Sequence, residues 1–325
     1  MGSRTIRVVD LFAGAGGLTT GFHTASSRFR SVAAVEIDPY AAASYEATFG
    51  KNSVFSGSLL DWLAQGDMPR NVDIVVGGPP CQGFSTLGKQ DVEDARNHLR
   101  EQYAATLIAV EPRYFVVENV PAFGKSPSTG TTRPPPRPGG PRVPRAHARP
   151  SRDRRADPLQ DGARRPARRA PVPDMDECFT QVRTPVGPRQ VPGSFSRREL
   201  HISRDYSDIS LKRFATILAG GNRSDLPDDL KAPCWRRHTT GSMDVMGRLH
   251  WDRPSVTIRT EFFKPEKGRY LHPVENRAIT HYEAALLQGF PEEHRFIGSA
   301  IARQIGNAVP IPLGTAIARQ ILKEL

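Results

Sequence analysis

The stretch VDIVVGGPPCQGFS (residues 72–85) is the part of the chain from which the fold is best deduced. Its first five residues are mostly β-branched, which predicts a short buried strand that Gly77 and Gly78 end. Two prolines follow, and they stiffen the next loop because proline has a fixed φ and no backbone N–H. Cys81 is therefore predicted on a rigid turn at the carboxyl end of a strand, where open α/β sheets bind their ligands.

This setting favours a chemical role for the Cys81 thiol. A rigid backbone can aim one sulfur at one atom, as nucleophilic catalysis requires. The alternative is a buried free cysteine, which is the commonest fate of this residue type. The Gly-Gly-Pro-Pro before Cys81 and the Gln-Gly-Phe-Ser after it argue against a buried apolar role.

The N-terminal part of the chain predicts a nucleotide-binding unit. A strand over residues 6–12 is followed by Ala-Gly-Ala-Gly-Gly (residues 13–17) and by a helix over residues 18–26. Strand, glycine turn and helix form the first unit of dinucleotide-binding α/β folds, although many enzyme classes share such turns. A second strand over residues 31–37 places Glu36 about 20 residues after the turn, at the spacing of a carboxylate that binds ribose hydroxyls. The alternative for Glu36 is a strand-end acid that faces water.

Further elements follow in the order that this fold requires. Asp38 is predicted to cap a helix over residues 38–49, with Pro39 at its first position. A helix over residues 99–110 precedes a strand over residues 113–120, which carries Glu118 near its carboxyl end. A C-terminal helix is predicted over residues 313–322.

Several of these segments resemble conserved blocks of the DNA (cytosine-5)-methyltransferases. The strongest match is the catalytic loop at residues 77–85, and Glu-Asn-Val at residues 118–120 is similar to the second catalytic block. Residues 276–291 predict a helix with Thr280 as N-cap and Glu283 three residues on, which is a capping box. They resemble a block that supports the recognition domain, and Arg-Gln-Ile-Gly-Asn-Ala-Val-Pro at residues 303–310 resembles the last block. The resemblance is close over residues 6–123 and 276–322, and it is loose over the recognition region.

The resemblance implies a fold, a cofactor and a set of site residues. The fold is α/β, a doubly wound and mostly parallel sheet of the Rossmann-like S-adenosylmethionine-dependent methyltransferase type, with a smaller irregular target-recognition domain. S-adenosylmethionine would be the methyl donor, and no metal is needed. Cys81 would be the nucleophile and Glu118 the acid that holds the base. The residues implied to bind the donor are Phe12, Gly14, Gly16, Leu18, Glu36, Asp61, Pro79 and Asn307. For Asp61, a solvated loop acid is the alternative.

Nearly all of the excess positive charge lies in one unusual segment. The chain has a net charge of +11, and residues 126–173 hold 12 Arg against 3 Asp, which leaves only +2 for the remainder. The segment also has 12 Pro and almost no branched aliphatic residues, a composition that predicts disorder. It could be a basic arm that follows phosphates, an inert linker, or coding sequence translated out of frame. We favour the last hypothesis. We expect the sequence pattern of a folded protein to resume between residues 179 and 204.

These observations predict four regions. Residues 1–125 would form the catalytic core, 126–193 the Pro/Arg-rich segment, 194–273 the target-recognition region and 274–325 the C-terminal part of the core. Clusters of basic and aromatic residues in the recognition region favour contact with DNA, and a basic surface around a few core aromatics is the alternative. Those clusters are at residues 195–198, 212–214, 235–238 and 248–251.

Cysteine use and hydropathy limit the setting. The three cysteines form no Cys-x-x-Cys pair, which disfavours a disulfide framework or a zinc site and favours a reducing compartment. No segment is predicted to cross a membrane. We expect a monomer in a bacterial cytoplasm, associated with the nucleoid, that acts on double-stranded DNA beside a cognate restriction endonuclease of the same site.

Two other functions are considered. One is a catalytically impaired relative that keeps only donor or DNA binding, which the unusual central segment motivates. The other is a dinucleotide oxidoreductase, which the glycine turn and Glu36 fit by themselves. Nothing in that class explains Pro79-Pro80-Cys81-Gln82, so it ranks far behind.

Overall fold

The computed structural model describes residues 4–79, 99–118, 168–169, 179–237 and 244–325. The chain divides into two compact units, one formed by Met1–Ser151 with Val309–Leu325 and the other by Arg152–Ala308. Each unit is described by itself. The four predicted regions, with boundaries after residues 125, 193 and 273, stay a prediction.

The first unit contains a five-stranded sheet in which every neighbouring pair is parallel. Its strand order is β3-β2-β1-β4-β5. The strands are β1 (Ile6–Leu11), β2 (Phe29–Glu36), β3 (Phe55–Ser56), β4 (Ile74–Gly77) and β5 (Tyr114–Val117). The helices of this unit are α1 (Gly17–Ala25), α2 (Pro39–Phe49), α3 (Leu59–Ala64), α4 (Leu99–Val110) and, at the C-terminus, α9 (Ile311–Leu322).

Helices cover both faces of this sheet. Consecutive residues of β1 belong to different apolar clusters, Val9 with Tyr103 of α4 and Val8 with Phe22 of α1. Successive side chains of a strand point to opposite faces, so the two clusters lie on opposite sides of the sheet. The predicted doubly wound, parallel α/β fold is confirmed. The strand order reverses between β1 and β4, and ligands of such sheets bind at that switch point, beyond the carboxyl ends of the strands.

Local capping chemistry sets two of the predicted elements. Asp38 accepts hydrogen bonds from the backbone N–H groups of Tyr40 at 2.9 Å and Ala41 at 3.3 Å, and α2 begins at Pro39 as predicted. Helix α4 has the predicted bounds. Both helices therefore begin where the local sequence indicates.

The central strand ends at Gly77, and Gly78 lies just beyond it, as predicted. Gly77 is the last residue of β4 and pairs with both Leu11 of β1 and Val117 of β5. A Cβ atom at Gly77 would stand 2.7 Å from the Leu11 carbonyl oxygen and 3.0 Å from the ring of Tyr103. Glycine is required here because a neighbouring backbone comes too close for a side chain.

The second unit contains short strands and helices. The hairpin of β7 and β8 is antiparallel, as is the β9–β11 pair, whereas β6 and β10 pair in parallel. These strands are β6 (Arg168–Arg169), β7 (Phe179–Thr184), β8 (Gly187–Pro192), β9 (Phe195–Ser196), β10 (Ile202–Ser203) and β11 (Arg295–Phe296). The helices are α5 (Asp208–Thr216), α6 (Pro233–Arg237), α7 (His281–Gln288) and α8 (Ile301–Asn307).

The β7–β8 hairpin lies inside the range 126–193 that the sequence predicts to be irregular. Val182 and Val191, one on each strand, are buried. Gly187 has a φ of 107°, which suits the tight turn between the strands. Regular structure therefore resumes at Phe179, at the early end of the predicted interval, and residues 126–167 lie outside the described residues.

Helix α7 shows the predicted capping box. The Thr280 hydroxyl accepts from the Glu283 N–H at 3.2 Å, and the Glu283 carboxylate accepts from the Thr280 N–H at 2.8 Å. The helix ends earlier than predicted because Gly289 adopts a left-handed conformation with φ of 83°. The longest described helices have 12 residues, too few to span a bilayer, and none in the described ranges is a membrane-span candidate.

Candidate active site at the carboxyl edge of the sheet

The turn that follows β1 is built from residues in left-handed conformations. Phe12, Gly14 and Gly16 have φ values of 57°, 56° and 95°. At Gly16 a Cβ atom would overlap the ring of Phe49, so that glycine is needed for packing. At Gly14 no atom lies within 4 Å of where a Cβ would stand. The backbone at Gly14 is therefore open to close approach by a ligand.

Glu36, the last residue of β2, connects this turn to the next helix. Its Oε2 accepts from the Gly14 N–H at 2.7 Å and its Oε1 accepts from the Asp38 N–H at 2.7 Å. Burial raises the pKa of the Glu36 carboxyl group. Each oxygen still has a second lone pair, so the group can accept hydrogen bonds from two ligand hydroxyls as well.

A second carboxyl group lies at the ends of β4 and β5. The Glu118 N–H donates to the Gly77 carbonyl at 3.0 Å, which continues the sheet pairing by one residue. A Cβ atom at Gly78 would stand 3.3 Å from Glu118 Oε2, so the carboxyl group lies directly against the Gly78 backbone. Burial raises the pKa of Glu118, which favours its protonated form.

Gly78 is also the second residue of the predicted catalytic loop, residues 77–85. Pro79, which follows it, is buried, and Cys81 lies outside the described residues.

The family comparison decides the identity of this arrangement. The family model described as C-5 cytosine-specific DNA methylase matches residues 6–133 and 203–323, about three quarters of the chain. The chain belongs to the C-5 cytosine-specific DNA methylase family. The predicted family is confirmed, and the two matched ranges include the glycine turn, Glu36 and Glu118.

Full-length relatives agree with this assignment. The type II methyltransferase M1.HphI of Haemophilus parahaemolyticus is 32% identical over 98% of this chain and 87% of its own length. The type II methylase M.HgiDII of Herpetosiphon aurantiacus is 30% identical over 98% of this chain and 95% of its own. A solved structure described as a prophage-encoded DNA modification methyltransferase (E. coli) covers 98% of this chain and 99% of its own, with a TM-score of 0.58 at 19% identity. That last likeness supports the fold.

Two predicted donor-binding residues have other structural tasks in this DNA methylase, and a third lies in the second unit. Leu18 is 4% exposed and its side chain packs in the core with Phe22, so only its backbone is left for a ligand. Asp61 is exposed in the first turn of α3, where it accepts from the Ser58 hydroxyl at 2.6 Å while its own N–H donates to that hydroxyl at 3.1 Å. Asn307 is exposed at the end of α8, in the second unit.

The sequence analysis missed two apolar residues at this edge. Ile37, directly after Glu36, is 70% exposed, and Leu60, directly before Asp61, is 56% exposed. Large apolar side chains that stay in water beside polar ligand-binding groups are typical of small-molecule sites. A usable signal was in the sequence for Ile37, because it adjoins an acid at the end of a predicted strand.

One basic residue of the predicted DNA-contacting clusters is buried and does not lie on the surface. Arg248 is 3% exposed, and its guanidinium donates five hydrogen bonds inside the second unit. The prediction that it contacts DNA phosphates is wrong, because its donors are used on internal acceptors. Phe195 and Phe214 of the neighbouring clusters are core residues. Arg198 is exposed and forms an ion pair with Glu292 at 2.8 Å.

Proposed function

We propose that this chain transfers a methyl group from S-adenosylmethionine to carbon 5 of cytosine in double-stranded DNA. Family membership supports the reaction class. The observation that carries the proposal is the position of two carboxyl groups at one edge of the sheet, Glu36 buried at the glycine turn and Glu118 half-buried against Gly78. The first suits a donor with ribose hydroxyls, and the second suits a base held above the Cys81 loop.

The residues present fit the proposed donor. The open backbone at Gly14 leaves room for close approach, and Glu36 offers free lone pairs to the ribose. The exposed side chains of Ile37 and Leu60 offer apolar surface to an adenine ring. Phe12, Gly16, the Leu18 backbone, Asp61, Pro79 and Asn307 complete the proposed contacts. When bound, S-adenosylmethionine supplies a methyl group on a sulfonium, which is a strong electrophile.

Cys81 and Glu118 would make the cytosine reactive. Carbon 5 of cytosine is a weak nucleophile, and addition of the Cys81 thiolate to carbon 6 turns the ring into an enamine-like species that is nucleophilic at carbon 5. Partial burial raises the pKa of Glu118, and in its protonated form the carboxyl group would donate to ring nitrogen 3 and accept from the exocyclic amine. After the carbon 5 proton is lost, the bond between sulfur and carbon 6 breaks and the thiolate is released.

DNA must present the base outside the helix for this chemistry. The protein and the methyl donor cannot reach carbon 6 and carbon 5 of a cytosine that is stacked inside a duplex, so the base is flipped out of the stack. Two relatives are type II methyltransferases by name, which supports a bacterial restriction–modification setting with an endonuclease of the same site as partner. We propose that the protein acts as a monomer in the cytoplasm.

A methyl-transfer assay tests the proposal. The full chain is incubated with donor labelled on its methyl group and with mixed-sequence duplex DNA, and the label is recovered as 5-methylcytosine. Cys81→Ser should lower the rate by a factor of at least about 1,000, because the covalent step is lost. Cys234→Ser is the matched control, since that cysteine is exposed and free.

The assay also separates the impaired relative from the active enzyme. DNA that stays unlabelled with every duplex, while the donor still raises the unfolding temperature, would contradict the proposed transfer and favour a protein that only binds. Label found on bases other than cytosine would contradict the proposed substrate.

A further inference from the structure

Directly behind the glycine turn lies a buried chain of four polar side chains. Asp10, near the end of β1, accepts from the Thr19 hydroxyl of α1 at 2.7 Å. The Thr19 oxygen lies 2.9 Å from the Tyr45 hydroxyl of α2, which lies 3.1 Å from the Ser31 hydroxyl of β2. Asp10 and Tyr45 are 0% exposed. The chain therefore joins the four elements that surround the turn.

One oxygen atom in this network of polar side chains has no hydrogen-bond partner. Asp10 Oδ1 is buried and makes no hydrogen bond, so the ionised carboxylate is stabilised by donors of a single residue, Thr19. A buried carboxylate with so few donors is costly unless a positive charge lies near it. The hydrogen bonds of the chain can also reverse, because hydroxyl groups donate and accept equally well. With a proton on Asp10, each hydroxyl would donate in the opposite direction, and Ser31 would donate to the Ala33 carbonyl, 3.5 Å away.

We propose that Asp10 is a positioning residue of the donor site and that it releases a proton when a cationic methyl donor binds at the glycine turn. The inference rests on the proposed function, since S-adenosylmethionine carries a sulfonium and a net charge of about +1. A positive charge near the turn stabilises the ionised carboxylate, and by linkage the ionised carboxylate strengthens binding of that charge. The ionised form also orders the hydroxyls of Thr19 and Tyr45 toward β1, which fixes the first turn of α1.

The protonation equilibrium of Asp10 lies in a pH range in which binding can be measured. Burial raises the pKa of Asp10 to about 7, with the Thr19 hydrogen bond acting in the opposite direction and the Glu36 carboxylate adding to the rise. The other titratable groups coupled to Asp10 are Tyr45 on α2 and Tyr103 on α4, and His23 lies on the same helix as Thr19. Burial raises the pKa of both tyrosines far above neutrality and lowers that of His23. Of the two acids, Asp10 is the one whose donors belong to a single residue.

Calorimetric titration of the full chain with S-adenosylmethionine tests this inference. A carboxyl group with a pKa of about 7 is roughly one-tenth ionised at pH 6 and nine-tenths ionised at pH 8. The donor Kd should therefore fall about tenfold from pH 6 to pH 8, with a proton released near pH 6. Release is measured by repeating the titration in buffers of different ionisation enthalpy. Asp10→Asn should bind with a Kd that hardly changes with pH.

A second pair of variants keeps the test decisive if Asp10→Asn does not fold. Thr19→Val removes the hydroxyl donor to the carboxylate, so the midpoint of the pH dependence should move upward. Thr19→Ser keeps the hydroxyl and should keep the wild-type midpoint. A purely structural role for Asp10 predicts lower affinity in the valine variant with no change of midpoint.

Different results would overturn this inference and the proposed function. A wild-type Kd that is the same at pH 6 and pH 8, or a full pH dependence that persists in Asp10→Asn, would overturn the inference, and the latter would assign the titration to Glu36 or His23. A chain that binds no donor at any pH would overturn the proposed function and this inference with it. Binding that is tight but independent of pH would overturn the inference alone.

Discussion

Replacement of Arg248 distinguishes a structural cation from a DNA contact. Its guanidinium donates to the carbonyls of Ile217 at 2.7 Å, His272 at 2.6 Å, Glu275 at 2.8 Å and Phe214 at 2.6 Å, and to the side chain of an asparagine. The carbonyls of Ile217 and His272 have no other donor among the described residues. An unsatisfied buried acceptor costs about 1–3 kcal/mol. Arg248→Met should therefore lower the unfolding free energy by about 4 kcal/mol.

Urea unfolding, followed by tryptophan fluorescence and circular dichroism, measures this change. The midpoint should fall with little change in slope, because the surface exposed on unfolding stays similar. Arg253→Met is the matched control, since Arg253 is exposed, and it should change the free energy by less than about 0.5 kcal/mol. The salt dependence of DNA binding by the folded Arg248→Met variant should equal that of the wild type. A stability loss below about 1 kcal/mol together with a shallower salt dependence would refute the structural role.

Three further predictions follow from single sites. Gly77→Ala should destabilise the sheet by about 2 kcal/mol in thermal unfolding, because its Cβ would stand 2.7 Å from a backbone carbonyl, and a neutral effect would contradict that close approach. Thr280→Ala should cost about 1 kcal/mol through the lost cap, whereas Thr280→Ser should cost almost nothing. Burial lowers the pKa values of His272 and His281 to about 4, so the unfolded state binds more protons than the folded state between pH 6.5 and 4. The unfolding free energy should therefore fall by a few kcal/mol as the pH is lowered from 6.5 to 4. An unfolding free energy that does not change with pH in this range would contradict the burial of two neutral histidines.

Elements that depend on local chemistry were predictable from the sequence. Asp38 with Pro39, and Thr280 with Glu283, start helices through bonds to residues two or three positions away. Helix α4 has the bounds that its sequence indicates. The order of strand, glycine turn, helix and strand was also sufficient to predict a parallel sheet, because only a few topologies connect such units.

Features that depend on distant residues were not predictable. Gly77 has the sequence signature of a strand end, but only the approach of the Leu11 carbonyl from another strand explains why no side chain fits there. Arg248 has the composition of a surface cluster, yet its acceptors come from segments up to 34 residues away. Neither partner can be identified from a window of neighbouring residues.

The residues of the candidate site also fall into some that the sequence predicts and some that it does not. Glu36 and Glu118 were predicted because each ends a strand, and the structure places both at the carboxyl edge of the sheet. Asp10 was not singled out, because an acid inside a strand gives no sign of being buried until α1 and α2 pack over it. The function of Cys81 stays a prediction from the sequence motif, since its position lies outside the described residues.

Covalent capture of Cys81 tests the central claim most directly. Duplex DNA in which 5-fluorocytosine replaces cytosine is incubated with the full chain and S-adenosylmethionine, and the protein is digested and analysed by mass spectrometry. Fluorine at carbon 5 cannot leave as a proton does, so the bond from sulfur to carbon 6 should persist on the peptide that contains Cys81. Glu118→Gln should slow this capture at least about 100-fold, and Glu324→Gln, at an exposed acid, should not. Methylated DNA without an adduct at Cys81, or an adduct at Cys178 or Cys234, would contradict the account.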